Sequence, residues 1–299
     1  MGRLTTFILI LLALLVSACG GGSSNNAGSG TLSIGLTDAP VTGAQNVVIH
    51  FTRVQIHSGD GTTTEIPVTD PATNLPGRSI DLMLLQGDKS VALFDKELPA
   101  GNYSWMRLEL DLDKSYIVTS TGTHQLNCTS CPNSGYKLNR SFKVDKDAVM
   151  AYTVDFDLLK SITLANNGYH LRPTLRVVET AAAGHLSGDV DATLIASLGG
   201  ETGCVVYVYD GHDVIANDIY LPVGIAVPAD HFNPLATGNV EATTHKYTVG
   251  YLAAGDYTVA LTCDGENDDI SAQDAGVVFH GAANVTVAAG KTTTHSFAP

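Results

Sequence analysis

The chain of 299 residues carries 16 Lys and Arg against 30 Asp and Glu, a formal charge of −14. A surface this acidic repels phosphate backbones and anionic headgroups, which argues against nucleic acid as a partner and against charge as a membrane tether. Runs rich in Val, Thr, Ile and Tyr, broken by Gly, Asn, Asp and Pro and without a sustained helical period, predict an all-β chain long enough for two domains.

At the start, Met1-Gly2-Arg3 supplies one positive charge and Phe7 to Val16 is an unbroken apolar run of ten residues. A membrane-spanning helix needs about 20 such residues. The shorter run, ending on Ser17 and Ala18, predicts a cleaved signal peptide over residues 1–18. "LVSAC" (15–19) resembles the lipobox of bacterial lipoproteins, whose cysteine sulfur receives a diacylglycerol before the new amino terminus is acylated. The resemblance implies lipidation at Cys19 and a lipid bilayer as partner. Several acyl chains anchor stably where one holds only marginally. Gly20 stands where an aspartate is associated with inner-membrane retention, which implies the outer membrane. Residues 19–29, rich in Gly, Ser and Asn, read as a flexible tether.

With Cys19 set aside, four cysteines remain. Outside the cytoplasm an even number favours disulfides, and of three possible pairings the local ones, Cys128–Cys131 and Cys204–Cys263, are expected. "NCTSCPNSG" (127–135) also admits redox exchange or a shared metal. Its turn-rich setting without a βαβ unit favours a structural bridge.

Further along, "ELPAGNYSWMRLEL" (97–110) and "YLAAGDYTVALTCD" (251–264) repeat a Leu, Ala-Gly, Tyr pattern. Gly30 precedes Gly101 by 71 positions, and Gly184 precedes Gly255 by the same interval. This predicts two copies of one antiparallel sandwich plan, over 30–180 and 184–299, divided in "ETAAAGH" (179–185). In each copy the Gly permits a sharp turn into a strand, and Tyr103 or Tyr257 sends its hydroxyl to backbone at the corner. "VDKDAVMAYTV" (144–154) and "VAAGKTTTHSF" (287–297) both read as closing hairpins. In the first copy Met106, Leu108 and Leu110 have the opposite parity to Tyr103, and Val47/Ile49/Phe51 the opposite parity to Val54/Ile56. Bulges or two-sided strands are expected at both places.

"GTLSIGLTDAPVTGAQNVVIHFTRVQIH", "LPAGNYSWMRLEL", "GYKLNRSFKV", "VDFDLLKSI" and "GYHLRPTLRVV", in this order over about 30–178, resemble the bacterial domain-of-unknown-function family numbered 4382. That family occurs in secreted lipoproteins without an established activity, so the resemblance implies a location. The stretches "GHLSGDVD", "VYVYDG", "LAAGDYTVAL" and "NVTVAAGKTTTHSF" are similar to carboxypeptidase-regulatory-like and transthyretin-like sandwiches, a fold that includes starch-binding domains.

Several side chains could carry chemistry. Tyr207 and Tyr209 lie opposite in parity to Cys204 and would form an outward stacking platform for sugar, or pack under a loop. Trp105 faces the same choice. "CDGENDDISAQD" (263–274) offers Asp264, Glu266 and Asp268 to calcium, but Asp269 and Ala275 stand where the loop needs Gly and Glu, so an acidic hairpin tip is the simpler reading. Glu109, Asp111 and Asp113, with Asp155 and Asp157, could pair for glycosidase chemistry, although strands with polar outer faces produce such pairs routinely. His50 and His57 read as half-exposed, and the ten histidines lack metal-ligand spacing. The expectation is an anchored, non-catalytic binding or scaffolding module without a cofactor, its partner a glycan or another envelope protein. A purely structural envelope component and an envelope hydrolase are the alternatives.

Overall fold

The computed structural model describes residues 28–299 apart from 40, 42, 129–130, 132–134, 166 and 200–202. The expected signal peptide, Cys19 and nearly all of the tether lie outside the described residues. No helix among the described residues is long and apolar enough to cross a membrane.

The chain is all-β, and among the described residues its strands fall into four sheets. The first holds β1 (Ser29–Ala39), β5 (Val91–Pro99), β10 (Val149–Asp157) and β13 (Leu175–Glu179) in the order β13-β10-β1-β5. The second is built on β2 (Ala44–Ser58) and β6 (Gly101–Thr119). It adds β3 (Thr63–Pro67), β4 (Arg78–Asp81), β7 (Gly122–Asn127), β8 (Tyr136–Leu138), β9 (Phe142–Val144), β11 (Ile162–Ala165) and β12 (Gly168–Leu171). The third has β17 (Lys246–Ala253), β14 (Ala183–Asp189) and β20 (Thr292–Thr294). The fourth runs β16 (Ala236–Asn239), β15 (Val205–Asp210), β18 (Gly255–Thr262) and β19 (His280–Val287). A short 3-10 turn, Thr180–Ala182, separates β13 from β14.

One strand plan occurs twice. β1 pairs antiparallel with β5, and β14 with β17. The chain then turns a corner into the opposite sheet, where β6 pairs with β2 and β18 with β15. At each corner a tyrosine closes the turn on the carbonyl four residues back: Tyr103 Oη donates to Pro99 O at 2.8 Å, Tyr257 Oη to Ala253 O at 2.7 Å. The corner glycines, by contrast, do not use the left-handed region. Neither Gly101 nor Gly255 has positive φ, and a Cβ on Gly101 would meet nothing within 4 Å.

The first three sheets are mixed, while the fourth is purely antiparallel. β1 runs parallel to β10 and β14 parallel to β20. The two stretches expected to be closing hairpins are instead crossovers between sheets. β9 pairs with β6 but β10 with β1 and β13, while β19 pairs with β18 but β20 with β14. Each crossover contains a left-handed residue, Asp147 (φ 57) or Gly290 (φ 64), which turns the chain out of its sheet. A hairpin would have left one edge of each opening strand without a partner.

The parity switches are bulges. The β2–β6 register slips between Phe51 and Arg53, with Thr52 the extra residue, and again where Ser58 pairs Tyr103 while His57 pairs Trp105, with Ser104 extra. Each slip returns the apolar set to the inner face. The cores follow from this. Leu32, Ile34 and Leu36 of β1 meet Ile49 and Phe51 of β2 in one cluster, and Leu186 and Val249 meet Val206 and Val259 in another.

The first two sheets, packed around one cluster, form a first body, and the last two, around the other, a second; the two touch at Gly250. A Cβ there would stand 1.9 Å from Gly87 O. Gly250→Ala is therefore expected to force backbone apart and cost about 1–3 kcal/mol by denaturant unfolding. Gly101→Ala, in open space, should be near neutral in the same assay.

Candidate functional site

"VDFDLLK" reads as a strand with acidic residues on one face. β10 lies between β1 and β13, however, and the second body covers its acidic face. Asp155 and Asp157 are thus buried, at 4% and 3% exposure. Asp155 accepts from Arg176 Nη2 at 2.6 Å. Burial pushes its carboxyl above the ordinary carboxylate value, with Arg176 opposing the rise. Asp157 caps the one-turn helix Leu158–Ser161 by accepting from Lys160 N at 3.1 Å, and pairs with Lys160 Nζ at 2.6 Å.

Both cations then reach across to the second body. Arg176 Nη1 donates to Tyr251 O at 2.5 Å and Nη2 to Gly250 O at 3.3 Å. Lys160 Nζ donates to Leu235 O at 3.0 Å. In return Tyr251 Oη donates to Ser90 Oγ at 2.8 Å and Asp88 O at 3.1 Å. Leu159 joins the apolar cluster of Val205, Tyr207 and Ile219. Each of these four charges thus faces an opposite charge, and both cations also reach a carbonyl of the second body, which helps to offset the cost of burying them.

Beside this seam lies a cleft of about 1150 Å³. The β11–β12 hairpin contributes Leu164, Tyr169 and Arg172 from the first body. Val223, Glu266 and Asp269 line it from the second. Leu164 and Val223 are 69% and 73% exposed. The cleft therefore offers apolar surface, with a cation on one body and carboxylates on the other.

The sequence-predicted residues are distributed otherwise than expected. Tyr207 and Tyr209 do point away from Cys204, but that face is covered: they are 0% and 1% exposed. Tyr207 Oη donates to Asp268 at 2.5 Å, Tyr209 Oη to Asn217 O at 2.5 Å, and Phe279 packs edge-on against both rings. They are not a sugar platform. Trp105 is half-buried. His57 stacks on its ring at 4.9 Å, and Lys137 Nζ and the Arg107 guanidinium lie over it at 4.7 and 5.1 Å. Little open face is left for a sugar. His50 is buried rather than half-exposed.

Asp264, Glu266 and Asp268 do not converge. Among the described residues the three carboxylates close enough to share an ion are Asp218, Asp268 and Asp274, whose oxygens lie within 4.8 Å of one another. Asp268 accepts from Tyr207 Oη and Ile219 N, and Asp218 accepts from Asp274 N at 2.5 Å. These bonds fasten the loops over the tyrosines. Burial, aided by Asp218 and Asp274, pushes the Asp268 carboxyl up to about 6. Of the supposed catalytic carboxylates, Glu109 pairs with Arg53 at 3.2 Å and Asp111 with Lys114 at 3.0 Å, remote in role from the buried Asp155 and Asp157.

Both expected disulfides are present, Cys128–Cys131 and Cys204–Cys263. Sequence reasoning did not single out Arg176, Lys160, Tyr251 or Asp38. The signal available was "VDFDLLK" itself: two acids and a lysine in an otherwise apolar run.

Residues 29–173 match the family model described as "Domain of unknown function (DUF4382)". No curated protein matches the chain. Among solved structures it is similar to the Bacillus anthracis TIE protein at 11% identity and TM-score 0.23, covering 90% of this chain and 33% of that one. The chain thus spans about a third of that protein's length. It is similar to GBS52, a minor pilin of Streptococcus agalactiae, at 11% identity and TM-score 0.21, covering 89% of this chain and 94% of that one. For BcpA, the major pilin subunit of Bacillus cereus, the values are 10% identity, TM-score 0.20, and 90% and 99% coverage.

Proposed function

We propose that this chain, whose first body carries the matched domain of unknown function, is a lipid-anchored protein of the bacterial outer membrane. It works by binding or scaffolding rather than by catalysis, as two tandem sandwiches on a tether from Cys19. One observation carries the reading. The buried acids that might have served a reaction, Asp155 and Asp157, are spent with Arg176 and Lys160 on locking the bodies together. The lock fixes the geometry of the cleft, and the cleft is the ligand surface. Its occupant is a segment of an envelope protein or a glycan.

Two measurements test this. Cys19→Ala should move the chain from the membrane pellet to the soluble fraction and abolish incorporation of labelled palmitate, because the protein surface supplies no attraction for anionic lipid. Full-length protein should be retained on immobilised envelope polysaccharide or on envelope protein. Leu164→Asp or Arg172→Glu should weaken that retention about tenfold, or 1.4 kcal/mol. Retention unchanged by both variants would remove the cleft as the surface, and turnover of any probe would remove the non-catalytic reading. A spacer role fits the same locked geometry. It predicts that no probe is held, while loss of the chain weakens the envelope.

A further inference from the structure

A third acid lies in the seam. Asp38, at the end of β1, is 3% exposed, and its carboxylate has no side-chain partner among the described residues, the Leu158 backbone N–H being the donor that acts on it. It lines a small cavity of about 10 Å³ between the bodies. Thr237 of β16, 2% exposed, lines the same cavity, and its Oγ1 is buried without a hydrogen-bond partner among the described residues. The room is at the lower limit for one water molecule.

The charges around Asp38 do not balance if it is ionised. From β10 and the turn after it come Asp155, Asp157 and Lys160; from β13 comes Arg176; Asp81 caps the 3-10 turn Leu82–Leu85. The second body lines the cavity with Ala236, Thr237, Thr248, Val249 and Gly250, none of them charged. Both seam cations are already bonded to Asp155 and Asp157. A third carboxylate would remain buried without a counter-charge, an arrangement proteins avoid by taking up a proton.

We infer that the seam is a proton-controlled latch, closed when Asp38 is a carboxylic acid lining one cavity with Thr237 and loosened when that acid ionises. The inference goes beyond the proposed function and does not depend on what the cleft binds. Burial pushes the Asp38 carboxyl well above the usual carboxylate range, Asp155 and Asp157 push the same way, the Leu158 N–H pulls against them, and Asp81 adds to the rise. A raised folded-state value means that the latch's contribution is complete below the unfolded value, near 3.9. It is lost as pH rises through the folded one.

The test is amide hydrogen exchange over residues 248–251 of the full chain, measured from about pH 5 to about pH 8 and corrected for intrinsic base catalysis. The wild type should lose protection there as pH rises, and its melting temperature should fall. Asp38→Asn, isosteric and uncharged, should hold both nearly flat, while the slopes due to Asp155 and Asp268 remain common to both proteins. Equal pH profiles for wild type and Asp38→Asn would overturn the latch. So would recovery of wild-type protection at about pH 8 by sodium or calcium but not choline, since a bound cation would then fill the proton's place. Should Asp38→Asn fail to fold, carbon-13 titration of the Asp38 carboxyl in the wild type decides. A midpoint above the ordinary range supports the latch, and one at or below about 3.9 overturns it.

Discussion

Arg176→Met is expected to destabilise the protein by about 3–5 kcal/mol and to split a single unfolding transition into two. The magnitude comes from what is left behind. Asp155 would stay buried without its partner at 2.6 Å, and Tyr251 O and Gly250 O would lose the donor that reaches them from the first body. A buried charge stripped of its counter-ion costs far more than the pair contributes, because the desolvation already incurred is no longer offset. Arg176→Met paired with Asp155→Asn should therefore recover much of the loss, since neither charge remains unmatched. The pH dependence should move in step. The Asp155 carboxyl is already raised by burial, and Arg176 holds it down. Removing Arg176 raises it further, so the single variant should lose stability more steeply between about pH 4 and neutrality. Denaturant unfolding at both ends of that range checks the sign. A loss under about 1 kcal/mol, or a double variant no better than the single one, would show that the seam does not join the bodies energetically.

The parts of this molecule legible in the sequence were those set by local rules. Tyr103 and Tyr257 were recognisable as corner residues because the turn and the acceptor lie within four positions, and both hydroxyls reach that carbonyl. The bulges at Thr52 and Ser104 are legible as parity conflicts, since with a side-chain period of two an apolar set that changes parity needs either a bulge or a strand buried on both faces. What failed depended on distant cover. Alternation in "CVVYVYD" correctly put Tyr207 opposite Cys204, but it could not show that Ile219, Ile270 and Phe279 arrive from loops to roof that face. The run Val205 to Tyr209 is apolar at every position, a mark of a strand buried on both sides, and that cue outweighed the alternation. Asp155 and Asp157 were misplaced for the same reason. A polar alternation normally means solvent, whereas β10 is a central strand whose outer face meets a second body. The closing segments read as hairpins because their turns are short. Which sheet a strand joins after a short turn is settled by the edge left open on the first strand, and a local window does not contain that edge.

The second large effect is expected at Cys204–Cys263. Replacing both cysteines with alanine should cost about 3–4 kcal/mol, near the top of the usual range. The bridge closes a loop with a sequence separation of 59, which contains β15 to β18 and the strandless excursion between residues 211 and 235. Releasing it frees a long loop in the unfolded chain, which raises the entropy of that state. The Cys128–Cys131 bridge, at a separation of 3, constrains little and should matter less. The native geometry sharpens the contrast. β15 and β18 are hydrogen-bonded neighbours with Val205 opposite Thr262, so the bridge continues one ladder rather than tying two sheets together. Its removal should fray that ladder from the cysteine end while the pairing nearer Tyr209 and Thr258 holds. The consequence extends beyond the second body, because Leu235 lies within the closed loop and accepts from Lys160. As the loop loosens, Lys160 and Asp157 keep each other but lose their carbonyl partner, and the first body should become less stable as well. Calorimetry of the double-alanine variant beside Arg176→Met separates these routes. If the disulfide acts through the seam, the two changes combined should cost less than the total of their separate effects, and strict additivity would confine its role to the second body.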